Sequence, residues 1–335
     1  MDVEHLPTPA LVVDLDALAD NLEKMADRWP GDTLRTHVKA FKSTALAEHI
    51  ASFTGYRGFC CATAKEVRGL ATAGLGRDLL LANAVVDVDV LRTLARLDDA
   101  RVTIAVDSPE TIAAAATAGL REVLIDVNVG LPRCGCAPED AGPLADQARA
   151  VGLEVRGVMG YEGHLMTEAD DRAGKVAEAM AILRNAHDVV GGPVISGGGT
   201  GTWDINETVT ELQAGSYTLM DTDYAKAGVP FRQALHAVAT VVSVNRAGGY
   251  AVADAGLKAF GMDHGLPTVV GYRIWYCSDE HTTFGPGADG ALPAIGSRVE
   301  MAPAHVDPTI AYHEVLHVVR GGQVVDTWPI DLRGW

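Results

Sequence analysis

The chain has 335 residues, of which 48% are hydrophobic and 21% charged, and its formal charge is −17. This acidity argues against a nucleic-acid partner, which would need a basic face, and the length allows two domains or one large barrel with an appended domain. No apolar run approaches a membrane span, and the acidic start Met1–His5 predicts no signal peptide.

Apolar runs of β-type composition alternate with amphipathic helical patterns through the first two thirds of the chain. The predicted strands are 34–39, 58–62, 79–82, 102–106, 123–127, 155–159, 193–196 and 212–217. The predicted helices are 44–53, 65–73, 109–118, 138–150 and 175–190. Eight strands separated by helices predict a (β/α)8 barrel. The alternative, a doubly wound sheet, lacks a G-x-G-x-x-G after its first strand.

After about Arg232 the pattern changes to alternating strands with hairpin signals at Gly248-Gly249 and Gly321-Gly322. The predicted strands here are 237–244, 250–253, 268–275, 297–301, 314–319 and 323–327. The fold class is therefore α/β: a TIM-type barrel over residues 18–232, followed by a smaller, mainly antiparallel β domain over residues 233–335. We expect residues 1–17 to join the β domain.

The segment Leu34–Lys42 predicts a short buried strand that ends in three bases, Arg35, His37 and Lys39. A lysine at a barrel mouth can form a Schiff base with a carbonyl cofactor, and a neighbouring cation would lower its pKa. The alternative is a surface salt bridge at a strand end. The shared position of further polar residues just beyond strand ends favours the site; they are Asp126, Arg133, Tyr161 and His164.

The run Ser196–Thr202, SGGGTGT, follows the seventh predicted strand. Glycines let successive N–H groups approach an anion, and the Thr200 and Thr202 hydroxyls add donors. After strand seven of a barrel this sequence favours phosphate binding over an ordinary turn.

In the predicted β domain, His305 and Asp307 form an H-x-D pair. In an extended segment residues two apart face one side, so the pair could bind one cation. Asp279 and His281 are further candidates, and the alternative is a turn at Asp307-Pro308.

The five cysteines are few and odd in number, which predicts a reduced, cytoplasmic protein. Cys134 and Cys136 lie too close for the usual zinc spacing and are interpreted as structural.

In order and spacing, nine segments resemble the D-threonine aldolase and D-serine dehydratase group of fold-type III pyridoxal-phosphate enzymes, relatives of alanine racemases. They are TPALVVDLDAL (8–18), RTHVK (35–39), IDVNVGLPRCG (125–135), GGGTGT (197–202), QAGSYTLMDTDY (213–224), DAGLKAF (254–260), SDEH (278–281), PAHVDPT (303–309) and VVRGGQVVDTWPIDLRG (318–334). The resemblance covers nearly the whole chain.

The resemblance implies that Lys39 holds pyridoxal phosphate and that Arg133 lies near its phenolic oxygen. Tyr161 is expected beside the cofactor, and His164 is the candidate base. The implied phosphate cradle is Gly198, Gly199, Thr200, Ser216 and Tyr217. The implied metal ligands are His305 and Asp307, with Asp279 nearby or bound through water. Relatives commonly read R-P-H-x-K-T-H-K, whereas this chain has Thr36 for the proline and Phe41 for the second histidine.

The implied reaction is metal-dependent retro-aldol cleavage of a β-hydroxy-D-amino acid to glycine and an aldehyde. H-x-D suits manganese, with magnesium or zinc as alternatives, whereas dehydratases of this group tend to show H-x-C. A D-serine or 3-hydroxyaspartate dehydratase is the main alternative, followed by a racemase and a non-catalytic cofactor carrier. The resemblance also implies a small-molecule D-amino acid substrate and a homodimer.

Overall fold

The structure, a computed structural model, describes residues 1–56 and 58–335. The β-strands in this part of the chain are β1 (Ala10–Asp14), β2 (Thr36–His37), β3 (Gly58–Cys61), β4 (Asp78–Leu81), β5 (Val102–Val106), β6 (Glu122–Asp126), β7 (Glu154–Gly160), β8 (Val194–Gly197), β9 (Glu211–Leu212), β10 (Leu235–Asn245), β11 (Tyr250–Ala253), β12 (Thr268–Val269), β13 (Tyr272–Cys277), β14 (Thr282–Gly287), β15 (Arg298–Ala302), β16 (Val315–Arg320) and β17 (Gln323–Pro329). The α-helices are α1 (Leu15–Arg28), α2 (Thr44–Thr54), α3 (Ala64–Thr72), α4 (Val88–Ala95), α5 (Pro109–Ala118), α6 (Ala141–Ala150), α7 (Arg172–Val190), α8 (Thr222–Lys226) and α9 (Val306–Ala311). No helix among these residues is both long and apolar enough to span a bilayer.

The chain divides into two compact units, each described separately. The barrel unit contains Met25–Lys39, Ala47–Gly215 and Gly334–Trp335. The sheet unit contains Met1–Lys24, Ala40–Leu46 and Ser216–Arg333. The domain boundary expected at residues 232 and 233 stays a prediction.

Strands β2 to β9 form one parallel sheet in sequence order. The two outer strands also meet, because Arg35 N–H donates to Leu212 O at 2.9 Å and His37 N–H donates to Ala214 O at 2.9 Å. An eight-stranded parallel sheet that closes on itself, with helices between strands, is a (β/α)8 barrel. The predicted barrel is confirmed.

Helix α5 shows how local sequence sets the helices of the barrel. The Ser108 hydroxyl accepts the Thr111 N–H, and Pro109 occupies the first helical position, where no N–H is needed. Gly119 ends the helix in the left-handed region, at φ 86°. These signals explain why the predicted bounds of this helix match the observed ones.

The barrel interior is built in layers, because side chains alternate along each strand. The middle layer is an apolar cluster of Cys60, Leu80, Ala105, Leu124, Met159 and Val194. Two residues further along their strands come Asp107, Asp126 and Tyr161, at the C-terminal mouth. We call these three side chains the upper layer. Two residues before the middle layer on β4 and β6 come Asp78 and Glu122, which belong to a group of charged residues at the N-terminal end.

These residues form a charged layer, defined as Arg35, Asp78, Glu122, Arg156 and Glu211. Arg35 makes ion pairs with Glu211 at 2.8 Å and with Asp78 at 3.2 Å. Arg156 Nη1 binds Asp78 Oδ1 at 3.1 Å and also donates to the Thr103 hydroxyl. Although burial alone would raise the pKa of Asp78, the two arginines hold it below its ordinary value.

The sheet unit is a nine-stranded sheet with β1 near its centre. β1 is antiparallel to β10 and parallel to β16, while the other pairings are antiparallel. The predicted mainly antiparallel β domain after the barrel is confirmed. Segment Ala10–Asp14, which the strand predictions did not include, belongs to this sheet.

Three sequence-based assignments are wrong in detail. The predicted strand 212–217 is only β9, and Ser216–Thr218 forms a 3-10 turn. The predicted strand 268–275 is interrupted before Tyr272, where Gly271 has φ 81°. The H-x-D pair is not extended, because His305 is the N-cap of α9 and Asp307 lies in its first turn.

Candidate active site

Lys39 lies in a single 3-10 turn, Val38–Ala40, directly after β2. Its Nζ is 5.9 Å from the centroid of the Tyr161 ring, and Arg133 Cζ is 5.3 Å from the same centroid. Both distances allow attraction between a cation and an aromatic ring. Three predicted site residues from β2, β6 and β7 therefore meet at the barrel mouth.

Arg35 does not belong to this cluster, and its assignment to the mouth is wrong. It lies in the charged layer, paired with Glu211 and Asp78. Arg35 precedes β2 and Lys39 follows it, so the two side chains lie at different ends of the barrel. Arg35 is therefore not the neighbouring cation that was expected to activate Lys39.

The loop after β6 carries Arg133 above a buried carboxyl group. The loop is closed at its base because Cys136 N–H donates to Asp126 O and Asn128 N–H donates to Cys136 O, both at 2.9 Å. Asp107 Oδ2 accepts the Gly135 N–H at 3.2 Å. Burial, together with the Asp107 charge, raises the pKa of Asp126 to about 7, against the opposing effect of Arg133.

The predicted phosphate segment follows β8, and its glycines are required by packing. Gly198 has φ 74°, and a Cβ added there would lie 2.4 Å from Leu212 Cδ1. A Cβ on Gly201 would lie 1.9 Å from Met166 O. Ser216 and Tyr217, the other predicted phosphate residues, belong to the sheet unit, where Tyr217 is fully buried with its ring 5.6 Å from that of Phe231.

His164, the predicted base, is exposed in a 3-10 turn that follows β7. A Cβ added at Gly130 would lie 3.1 Å from His164 Nε2. The imidazole therefore lies close to Gly130, in the loop that carries Arg133. Phe41, at the position of the second histidine in relatives, is fully buried. A buried phenyl ring cannot transfer a proton, so this chain lacks that histidine's chemistry at position 41.

In the sheet unit, His305 belongs to a group of possible metal ligands that the sequence did not reveal. Ligand atoms of Asp263, His264 and His305 lie within 4.8 Å of one another. Asp263 Oδ2 binds His305 Nδ1 at 2.7 Å, and the two imidazoles stack with centroids 4.0 Å apart. His264 Nδ1 in turn binds Asp223 Oδ2 at 2.9 Å. Imidazole and carboxylate donors suit divalent manganese, zinc or iron.

The other two predicted metal residues are not members of this group. Asp307 lies two residues beyond His305, in the first turn of α9. Asp279 is exposed in the turn before β14. Asp263 and His264 were missed because 42 residues separate Asp263 from His305, although the adjacent Asp-His pair in GMDHG was a usable signal.

Comparisons with known proteins agree with this geometry over the full chain. Residues 13–223 match the family described as "Alanine racemase, N-terminal domain", and residues 234–319 match "Putative serine dehydratase domain". A 3-hydroxy-D-aspartate aldolase of Paracoccus denitrificans (strain Pd 1222) is 33% identical, over 100% of this chain and 94% of the relative. The chain belongs to the D-threonine aldolase and D-serine dehydratase-like family of fold-type III pyridoxal-phosphate enzymes.

Other members of the family are similarly close. A D-threonine aldolase of Arthrobacter sp is 34% identical, over 99% of this chain and 94% of that protein. The crystal structure of D-threonine aldolase from Filomicrobium marinum superposes with a TM-score of 0.93, at 33% identity, covering 99% and 97% of the two chains. A D-threo-3-hydroxyaspartate dehydratase of Delftia sp. (strain HT23) is 29% identical over 98% of both chains.

The family's cofactor fits the residues at the barrel mouth. A lysine amine is the kind of group that bonds to an aldehyde, and an arginine guanidinium suits an anionic oxygen; Lys39 and Arg133 bring both groups to the Tyr161 ring. The run after β8 carries glycine at four of the six positions from Gly197 to Thr202, and backbone amides without side chains suit a phosphate. Pyridoxal phosphate is therefore the cofactor that this site accommodates.

Proposed function

We propose that this protein is a lyase that cleaves β-hydroxy-D-amino acids of the D-threonine type to glycine and an aldehyde by a retro-aldol reaction. The observation that carries the proposal is the convergence of Lys39 and Arg133 on the Tyr161 ring, in a chain whose closely similar relatives include aldolases. When bound, pyridoxal phosphate supplies a pyridine ring that takes up the electron pair released at the substrate α-carbon.

The residues of the barrel mouth have separable roles in this proposal. Lys39 would hold the cofactor through its aldehyde group. Arg133 would pair with the phenolic oxygen of the cofactor, and the Tyr161 ring packs against both cationic side chains. His164 is the proposed base that removes the β-hydroxyl proton, after which the Cα–Cβ bond breaks, the aldehyde leaves and a proton returns to Cα.

A divalent cation is the second proposed cofactor, with manganese preferred and magnesium or zinc as alternatives. Its proposed ligands are His305 and Asp307, with Asp279 nearby. In such a site a cation lowers the pKa of a bound hydroxyl and fixes its position. Asp263 accepts a hydrogen bond at His305 Nδ1, which leaves Nε2 as the ligand atom, so we assign Asp263 the role of orienting the imidazole. His264 stacks on the same ring.

The main alternative is dehydration of the same class of substrate, in which Lys39 would remove the Cα proton and the β-hydroxyl would leave. H-x-D at His305 and Asp307 favours the aldolase, since a thiolate ligand suits the dehydratases. A racemase is a weaker alternative because it has no use for a metal pair. A cofactor carrier is disfavoured because carriers of this type resemble the barrel alone.

The decisive experiment is a product assay with D-threonine, pyridoxal phosphate and Mn²⁺. We expect acetaldehyde and glycine, and we expect Lys39→Ala to lose both the products and the absorption of the lysine-bound cofactor. Ammonia with 2-oxobutanoate would replace the proposal by the dehydratase. Absence of both products with D-threonine, D-phenylserine and D-3-hydroxyaspartate would sink the lyase proposal and favour the carrier.

We further propose that the protein is a cytoplasmic homodimer whose substrate is a small D-amino acid. The sparse, odd set of free cysteines supports a reducing compartment. Large side chains left exposed in the sheet unit support a subunit interface; they are Leu266, Val270, Trp275, Tyr276 and Tyr312.

A further inference from the structure

Glu162 is a carboxylate enclosed in the barrel unit directly after β7, with 0% of its surface exposed. A buried carboxylate is costly unless strong donors surround it. Glu162 Oε1 accepts from the Thr202 hydroxyl at 2.8 Å and from Asn206 Nδ2 at 3.2 Å, while Oε2 accepts the Gly198 N–H at 3.2 Å. All three donors lie in the segment that follows β8.

This carboxylate therefore organises the glycine run from one side. The Thr202 hydroxyl donates to Glu162 and accepts the Gly199 N–H at 3.2 Å, so a second amide is fixed through it. Asn206 extends the arrangement, since its Oδ1 accepts the Thr208 N–H at 3.2 Å. One side chain thus sets the backbone orientation from Gly198 to Thr208.

The same contacts determine which amides can meet an anion. The N–H groups of Gly198 and Gly199 already donate to Glu162 Oε2 and to the Thr202 hydroxyl, so they do not serve an anionic ligand in this arrangement. The next two amides, of Thr200 and Gly201, begin the short 3-10 turn Thr200–Thr202. Successive amides at such a turn form an anion-binding concavity.

We propose that Glu162 is a positioning residue for the cofactor phosphate, holding the glycine run so that the Thr200 and Gly201 amides face the phosphate. This inference rests on the proposed function only through the cofactor. The three donors to the carboxyl group are Gly198, Thr202 and Asn206, so Glu162 does not compete with the phosphate for the Thr200 and Gly201 amides. Nothing local in the sequence marks this role, because Glu162 lies 36 residues before Gly198.

The test compares two ligands that differ only in the phosphate. Apoprotein is titrated with pyridoxal phosphate and with pyridoxal, and binding is followed by absorbance without any substrate. Glu162→Ala removes three hydrogen bonds to a charged acceptor, so we expect pyridoxal phosphate to bind roughly tenfold to a hundredfold more weakly. Pyridoxal should bind within roughly twofold of wild type, because it makes no phosphate contact. Glu162→Gln keeps one acceptor oxygen and should lie between wild type and Glu162→Ala.

Glu211→Gln is the matched control, since Glu211 is a buried carboxylate in the charged layer at the other end of the barrel. It should leave the ratio of the two affinities unchanged. Equal weakening of both ligands by Glu162→Ala, or no weakening of either, would overturn the proposal. If Glu162→Ala does not fold, Glu162→Gln decides on the same criterion. Because no turnover is measured, failure here and failure of the aldolase assay are separate results.

Discussion

Asp126 occupies the upper layer of the barrel with only 8% of its surface exposed. Its pKa is raised to about 7 by burial and by Asp107, so the folded protein holds this proton at pH values where the unfolded chain has released it. The stability from this proton is fully present below the ordinary carboxyl pKa and is lost as the pH rises through about 7.

Asp126→Asn cannot ionise and should therefore gain stability relative to wild type as the pH rises from 4 to 8. The gain should reach up to about 4 kcal/mol, since one pKa unit is worth about 1.4 kcal/mol. Urea unfolding at several pH values measures this difference. Asp188→Asn, on an exposed position of α7, is the control and should track wild type. A difference between wild type and Asp126→Asn that is independent of pH would refute the raised pKa.

A substitution at Asp263 tests the proposal that His305 binds the metal through Nε2. Asp263→Asn weakens the acceptor at His305 Nδ1 and should weaken Mn²⁺ binding to the apoprotein roughly tenfold to a hundredfold. His305→Ala should abolish binding while the pyridoxal-phosphate absorption remains. Titration calorimetry measures both, with the exposed Glu300→Gln as control. Wild-type affinity in Asp263→Asn would show that the carboxylate does not orient the ligand.

Single residues also show where sequence reasoning reached its limit. The clustering of Lys39, Arg133 and Tyr161 was predictable because each follows a predicted strand, and parallel strands end at one face of a barrel. Arg35 was wrongly assigned to the barrel mouth. The alternation of side chains along a strand predicts the face on which a charged residue lies, but not the end of the barrel. Asp263 and Glu162 were missed because their partners are distant in sequence and nothing local marks the contact.

Among the elements, those with strong local signals were predicted well. α5 carries a cap, a first-turn proline and a C-terminal glycine, and its bounds were predicted correctly. β14, TTFGPG, was missed because glycine and proline are depleted in strands. It is held by pairing with β11 and β13. α9 was taken as extended, although proline in a first helical turn loses no hydrogen bond.

The charged layer makes a prediction about the stability of the barrel. Arg35→Met leaves Glu211 and Asp78 without their shared partner and should lower the free energy of unfolding by about 3–5 kcal/mol. Arg92→Met, which breaks an exposed pair with Asp89 on α4, should cost less than about 1 kcal/mol. Chemical denaturation of both variants measures the contrast. Equal, small effects of the two substitutions would mean that the charged layer contributes little to the free energy of unfolding.

At the scale of the whole molecule, the proposed homodimer predicts a particle of twice the 35.2 kDa chain mass. Exposed tryptophan and tyrosine side chains such as Trp275 and Tyr276 are costly in water and are typical interface residues. Sedimentation over a dilution series measures the mass while activity is followed in parallel. A monomer with full activity would contradict the proposal.

The order of barrel and β domain followed from the change of periodicity near residue 232, and this architecture is confirmed. Residues 1–17 were expected to join the β domain, but β1 itself was not predicted, because its partners lie more than two hundred residues further on. Long-range pairing is decided by the assembled sheet and is not written in any local window of sequence.

The position of β1 has a consequence for how the protein is made. Val12 is aligned with His317 in a parallel pair, about 300 residues away along the chain. During synthesis β1 leaves the ribosome before the barrel strands, yet its β16 partner emerges only after the whole barrel sequence has been translated. Closing so long a loop is slow, so the β1 edge facing β16 stays uncovered in the nascent chain and is the natural place for a chaperone to act.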